Sequence, residues 1–217
     1  MPKWAKLIIA IVLLPICLGS FRTLWLVFHG AGSADQTWVP LLAGAACWIC
    51  IFVLLPKPML IYVFGHEFTH VLWTWLVGGK VKKFKATSKG GHVVVTKTNF
   101  LIALAPYFFP VYVALLVLIF AMGHLIWNWR AIAVWFHLLV GAAYAFHVTL
   151  TGHILKTRQT DITQQGYLFS AVIIYLGNVS VLLVGLPLLT ARVDLFTMLG
   201  WWAECTGQVL HRVGRIF

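Results

Sequence analysis

His66, Glu67 and His70 stand together in the segment Gly65-His66-Glu67-Phe68-Thr69-His70. On a helix, positions 66 and 70 lie one turn apart on one face, so two imidazoles can converge on a single metal ion. Zinc accepts such nitrogens at about 2.0–2.1 Å. Glu67 is displaced one step around the helix and need not be a ligand. Beside a zinc-activated water it can accept the proton, which makes hydrolysis the chemistry this spacing fits. A catalytic zinc takes three protein ligands and keeps one position open, so a third ligand must come from elsewhere. Asp161, His92, His137, His147 and His153 are the candidates. The chain has only five acids, Asp35, Glu67, Asp161, Asp194 and Glu204. His70 sits seven residues before the end of its apolar run, about 10 Å of helix, which leaves Asp161 within reach of it. Asp161 with Gln164 also fits a capping box that opens the next helix.

The composition says where this motif sits. Of the 217 residues, 61% are hydrophobic and 10% are charged. A soluble domain carries roughly 25% charged residues, so this chain cannot cover itself with a water-compatible surface. Soluble enzymes, disordered regulators and fibrous proteins are excluded, and a polytopic membrane protein is expected. The net charge of +11 is assigned to anionic lipid headgroups, with no nucleic acid as partner. A charged Glu inside a spanning helix costs roughly 2.5–3.5 kcal/mol on insertion scales, which makes Glu67 a functional candidate by default. Cys47 and Cys50 have redox-motif spacing but lie inside an apolar run, where small buried hydrophobes are expected.

Six apolar runs are long enough to span a bilayer: 7–28, 38–55, 59–77, 100–122, 131–151 and 167–189. The first resembles a signal peptide but has no clean cleavage site, so it reads as an uncleaved anchor. The third carries the motif. Between the third and fourth, residues 79–99 hold six lysines, Lys80, Lys82, Lys83, Lys85, Lys89 and Lys97, around β-branched sequence and a Gly90-Gly91 turn signal. That pattern predicts a hairpin or paired strands. In the tail, Leu195, Met198, Leu199, Trp202, Val209, Val213 and Ile216 recur near helical spacing with Arg212 and Arg215 among them. This pattern fits an interfacial amphipathic helix or a peripheral packing helix. The expected fold is therefore all-α and polytopic, with about six transmembrane helices, a short membrane-associated β segment and an amphipathic tail. It divides into two N-terminal helices (1–58), a membrane core (59–190) and the tail (191–217). Lys and Arg are balanced across the two faces, so they assign no orientation.

The His-Glu-x-x-His segment inside a span, Gly78-Gly79-Lys80-Val81, Gly90-Gly91-His92-Val93-Val94-Val95, Ala103-Leu104-Ala105-Pro106 and Thr160-Asp161-Ile162 together resemble the site-2 protease family of intramembrane zinc peptidases, in its compact bacterial form. The resemblance covers roughly residues 59–185. It implies one Zn2+ held by His66, His70 and Asp161, with Glu67 as general base. It implies a membrane-embedded β segment, a membrane-protein substrate, and residence in the bacterial inner membrane. The chain departs from the pattern in lacking the Asp-Gly or Asn-Pro-x-x-Asp motif that often carries the third ligand. Residues 92–96 (His92, Val93, Val94, Val95 and Thr96) offer an edge strand that could pair with an extended substrate. The rival readings are a zinc-binding membrane scaffold or transporter, and a histidine-rich di-iron oxygenase.

Overall fold

The computed structural model describes residues 1–215, so Ile216 of the expected tail stripe lies outside the described residues. The chain is mostly helical and forms two compact units, residues 36–159 and residues 1–35 with 160–217.

The unit of residues 36–159 contains α2 (Asp35–Leu54), α3 (Met59–Leu76), β1 (Val81–Thr87), β2 (Gly90–Val95), α4 (Phe100–Leu104), α5 (Val111–Trp127) and α6 (Ala133–Ile154). Pro56 and Pro58 separate α2 from α3, because proline lacks the N–H that a continuing helix needs. α3 ends where Gly78 turns left-handed at φ +69°, and the Gly79 N–H returns 2.8 Å to the Thr74 carbonyl. A helix closed in this way favours glycine at the left-handed position. The chain then runs straight into the hairpin. Its strands are antiparallel, with Phe84 opposite Val93, Lys85 opposite His92 and Ala86 opposite Gly91, and a bulge near Lys82. The reversal is made by Ser88 and Lys89, and the Gly90-Gly91 pair opens β2. α3 meets α6 through Tyr62, Val63 and Leu150. α2 and α6 cross at reciprocal glycines: a Cβ on Gly44 would strike the Leu138 carbonyl, and one on Gly141 the Leu41 carbonyl.

The second unit contains α1 (Lys3–Gly30), α7 (Thr160–Gln165), α8 (Tyr167–Thr190) and α9 (Leu195–Gly214). α1 packs against both α8 and α9. Tyr175 donates to the Cys17 carbonyl at 3.2 Å, and the Trp202 indole donates to Ser20 Oγ at 2.9 Å. α9 buries Met198, Cys205 and Val209, and Gly19 of α1 lies so close to Thr206 that a Cβ would sit 2.7 Å from its Cα. The amphipathic tail is thus a helix that packs on α1.

Among the described residues, four helices are long and apolar enough to cross a membrane: α1, α2, the stretch Trp129–Ile154 containing α6, and α8. They become up to five if a bent pair is counted as one span. The other two expected spans differ for physical reasons. α3 has 18 residues, and His66, Glu67 and His70 lower its hydropathy. The expected span at 100–122 is broken into α4, a 3-10 turn (Ala105–Tyr107) and α5, with an 81° bend. Pro106 and Pro110 remove two backbone donors there. Two further expectations are corrected. Cys47 and Cys50 are exposed rather than buried. Asp161 does not cap the sixth apolar helix: it stands in the first turn of α7, and Gly166 at φ +93° separates that helix from α8.

Candidate metal centre

α3 turns an unusually polar face inward. Glu67, Thr69 and Thr74 are buried, at 8%, 1% and 0% exposure, and His66 and His70 are half-buried beside them. The threonines satisfy themselves along their own helix: Thr69 Oγ1 donates to Gly65 O at 2.8 Å and Thr74 Oγ1 to His70 O at 2.7 Å. The histidines reach outward instead. Their rings lie 5.1 Å apart between centroids, as expected for positions four apart on a helix.

His70 Nδ1 lies 2.7 Å from the Ile102 carbonyl. A carbonyl only accepts, so this contact assigns the proton to Nδ1 and leaves the Nε2 lone pair for a cation. The origin of that acceptor is local. In a continuing helix the Ile102 carbonyl would receive the N–H of residue 106, and residue 106 is proline. Pro106 therefore frees the carbonyl that orients His70. His66 is held by aromatic edges, with Tyr107 at 5.2 Å and 86° and Tyr62 at 6.0 Å.

Glu67 is covered by the hairpin. A Cβ built on Gly91 would lie 2.6 Å from Glu67 Cγ and 2.9 Å from Oε1. Only a residue without a side chain lets β2 rest on the glutamate at this distance. Gly65 plays the same part on the other side, where a Cβ would meet the Tyr112 ring at 2.7 Å.

Each predicted site residue can now be placed. His66, Glu67 and His70 are on α3, and Asp161 is on α7. His66 and His70 each offer one ring nitrogen from the same stretch of α3, whereas Asp161 belongs to the other compact unit. His92 lies on β2, and His137, His147 and His153 lie on α6, all in the unit of the histidine pair. Two imidazoles and one carboxylate are a donor set that suits zinc and leaves a coordination position open. His147 is nonetheless close by. It is buried on α6 and lines, with His66 and Thr69, a cavity of about 10 Å³. That is room for about one water.

No family model, curated protein or solved structure matches this chain.

A larger groove, of about 600 Å³, opens between α3 and the hairpin. Leu60, Ile61 and Phe64 of α3, Tyr112 of α5 and Phe84, Lys85 and Ala86 of β1 line it. Side chains alternate between the faces of a strand. A groove lined by three consecutive residues therefore looks onto the edge of β1, and that edge is open because the sheet has two strands. His92, Val93, Val94, Val95 and Thr96 line none of this groove. They run along β2 and just beyond it, where Thr96 Oγ1 accepts the Lys80 N–H at 2.8 Å. Sequence reasoning missed Tyr62, Tyr107, the Ile102 carbonyl and the β1 edge. Of these only the Ile102 carbonyl had a sequence signal, the proline four residues later.

Proposed function

We propose that this chain is an intramembrane zinc endopeptidase of the site-2 protease type. In this reading it crosses the membrane six times, by α1, α2, α3, the bent α4–α5 pair, α6 and α8. Carrying it is the geometry of α3: two histidines one turn apart, one with its tautomer set by Ile102, beside a buried glutamate under the hairpin. His66, His70 and Asp161 are the proposed ligands: the spacing of the histidine pair on α3 supports the first two, and Asp161 follows from the resemblance. Zinc, when bound, supplies Lewis-acid activation of a water and of the scissile carbonyl.

The chain's own residues do the rest. Glu67 takes the water's proton and passes it to the leaving amine nitrogen. The hairpin closes over Glu67 and limits access of bulk water. A peptide bond within a spanning helix is shielded, since its carbonyl is already hydrogen-bonded. The substrate must therefore unwind, and an open strand edge can take up the backbone groups it releases.

The test is metal content and cleavage in the same purified preparations. Wild type should carry about one zinc per chain, and His70→Ala and Asp161→Ala should each lose it. Glu67→Gln should keep the zinc and lose peptide cleavage by about 10²–10⁴-fold. Zinc retained in Asp161→Ala would remove Asp161 from the ligand set. Cleavage at the wild-type rate by Glu67→Gln would sink the mechanism.

A further inference from the structure

The hairpin concentrates positive charge. Lys80, Lys82, Lys83, Lys85, Lys89 and Lys97 fall within 18 residues, and all six side chains are exposed. The sequence has no Asp or Glu between residues 68 and 160. Glu67 is buried on the far side of β2, against Gly91. Lys83 and Lys85 are two apart on β1 and so project to the same side of the strand. Lys85 lines the groove beside Phe84, whose ring meets Phe64 edge-on at 5.6 Å. The groove thus offers an apolar wall, an open backbone edge and an exposed cation in one place.

We infer that this groove selects extended peptide segments in which an acidic residue follows or precedes an apolar one. The apolar side chain rests on Leu60, Ile61, Phe64 and Tyr112, and the carboxylate faces Lys83 and Lys85. The inference rests on the peptidase reading for its consequence, since it names the substrate class of that site, but the binding itself needs no cleavage. The backbone edge is what favours a peptide over a phospholipid: a lipid has no row of N–H and C=O groups to match a strand. Lysine ammoniums set against a carboxylate give discrimination between charged and neutral partners more than raw affinity.

The experiment uses the full chain in nanodiscs of zwitterionic lipid. Its probes are a fluorescent apolar peptide ending in a pair of aspartates and the same peptide with asparagines. Anisotropy should show the aspartate peptide binding about tenfold more tightly at low salt, with the gap closing as salt rises. Lys83→Gln with Lys85→Gln should abolish the preference, and Lys83→Glu with Lys85→Glu should reverse it towards a lysine-bearing peptide. All of these side chains are exposed, and near-ultraviolet circular dichroism checks that the variants keep the fold. Equal affinity for both peptides overturns the inference, even where wild type cleaves both and the peptidase reading stands. Acid-dependent binding without cleavage supports the inference and overturns the peptidase reading. In nanodiscs doped with anionic phospholipid, loss of bound anionic lipid in the Lys variants, with peptide affinity unchanged, overturns it in favour of a headgroup site.

Discussion

α3 and α1 put polar side chains to opposite uses. α1 is 28 residues long, and its buried polar groups, Ser20 and Thr23, donate to the carbonyls of Ile16 and Gly19 four residues back. That back-bonding removes the cost of burying a hydroxyl without needing another element. α3 is 18 residues long and holds a histidine pair and a glutamate against neighbouring elements. Their partners come from the α4 carbonyl, the hairpin and the aromatic rings of Tyr62 and Tyr107. A helix that satisfies itself can sit almost anywhere apolar. A helix that cannot is fixed by what surrounds it, and that dependence is what a positioned site requires.

The sharpest way to break the comparison is at Gly91. Gly91→Val puts two methyl groups where Glu67 now lies, and the hairpin must lift. Overpacking of this kind costs about 1–3 kcal/mol. In the proposed peptidase reading the larger effect falls on chemistry, because a general base displaced by about an ångström loses on the order of 10²-fold in rate. Zinc content should stay near wild type, since the nearest side-chain atoms to the new Cβ belong to Glu67 and not to the histidine pair. Cleavage falling with zinc retained is the expected pair of results, and unaltered cleavage would show that the hairpin does not position Glu67.

Gly19→Val is the matching change in α1. Its Cβ would lie 2.7 Å from the Thr206 Cα, a backbone atom that cannot swing aside, so α1 and α9 must separate. The expected cost is again about 1–3 kcal/mol of stability. Here both zinc binding and Glu67-dependent cleavage should survive at temperatures where the protein remains folded. Thermal unfolding in detergent, with zinc content measured alongside, separates the two outcomes. Loss of zinc from folded Gly19→Val protein would mean that α1 is coupled to the site after all.

How much of the molecule is legible in its residues follows from the same contrast. α1, α2, α6 and α8 are readable because continuous apolar sequence has one interpretation at that length. The hairpin is readable from its β-branched run and paired glycines, and α9 from the spacing of Met198, Trp202 and Val209. The break between α4 and α5 escapes a hydropathy reading, although Pro106 and Pro110 signal it, because hydropathy averages across prolines that alter only the backbone. The His-Glu-x-x-His spacing predicts two histidines one turn apart on a helix, and α3 holds them so. Their surroundings are not readable in this way, since ring contacts from Tyr62 and Tyr107 and the approach of Gly91 depend on how elements pack. Cys47 and Cys50 show the converse error. Equating an apolar helix with a buried one fails there, since a helix rich in apolar residues can also leave small side chains on its outer face.

The mildest test lies at the start of α9, outside the apolar spans. Asp194 caps that helix, accepting the side-chain hydroxyl and the backbone N–H of Thr197, the latter at 2.9 Å. These bonds favour the charged carboxylate, the hydroxyl most, and hold it below the ordinary aspartate range. A group whose folded value is depressed adds stability that is fully present above its unfolded value, near pH 3.9, and is lost as pH falls through the folded one. Wild type should therefore lose part of its thermal stability in acid, whereas Asp194→Asn, which keeps an N-cap acceptor but cannot ionise, should lose less over the same range. The carboxylate is fully exposed, so the difference should be smaller than the effect of either glycine substitution. Melting curves of the two proteins at neutral and acidic pH decide it. Parallel losses would show that the α9 cap does not contribute to acid sensitivity, and that α9 depends on its packing against α1 and α8.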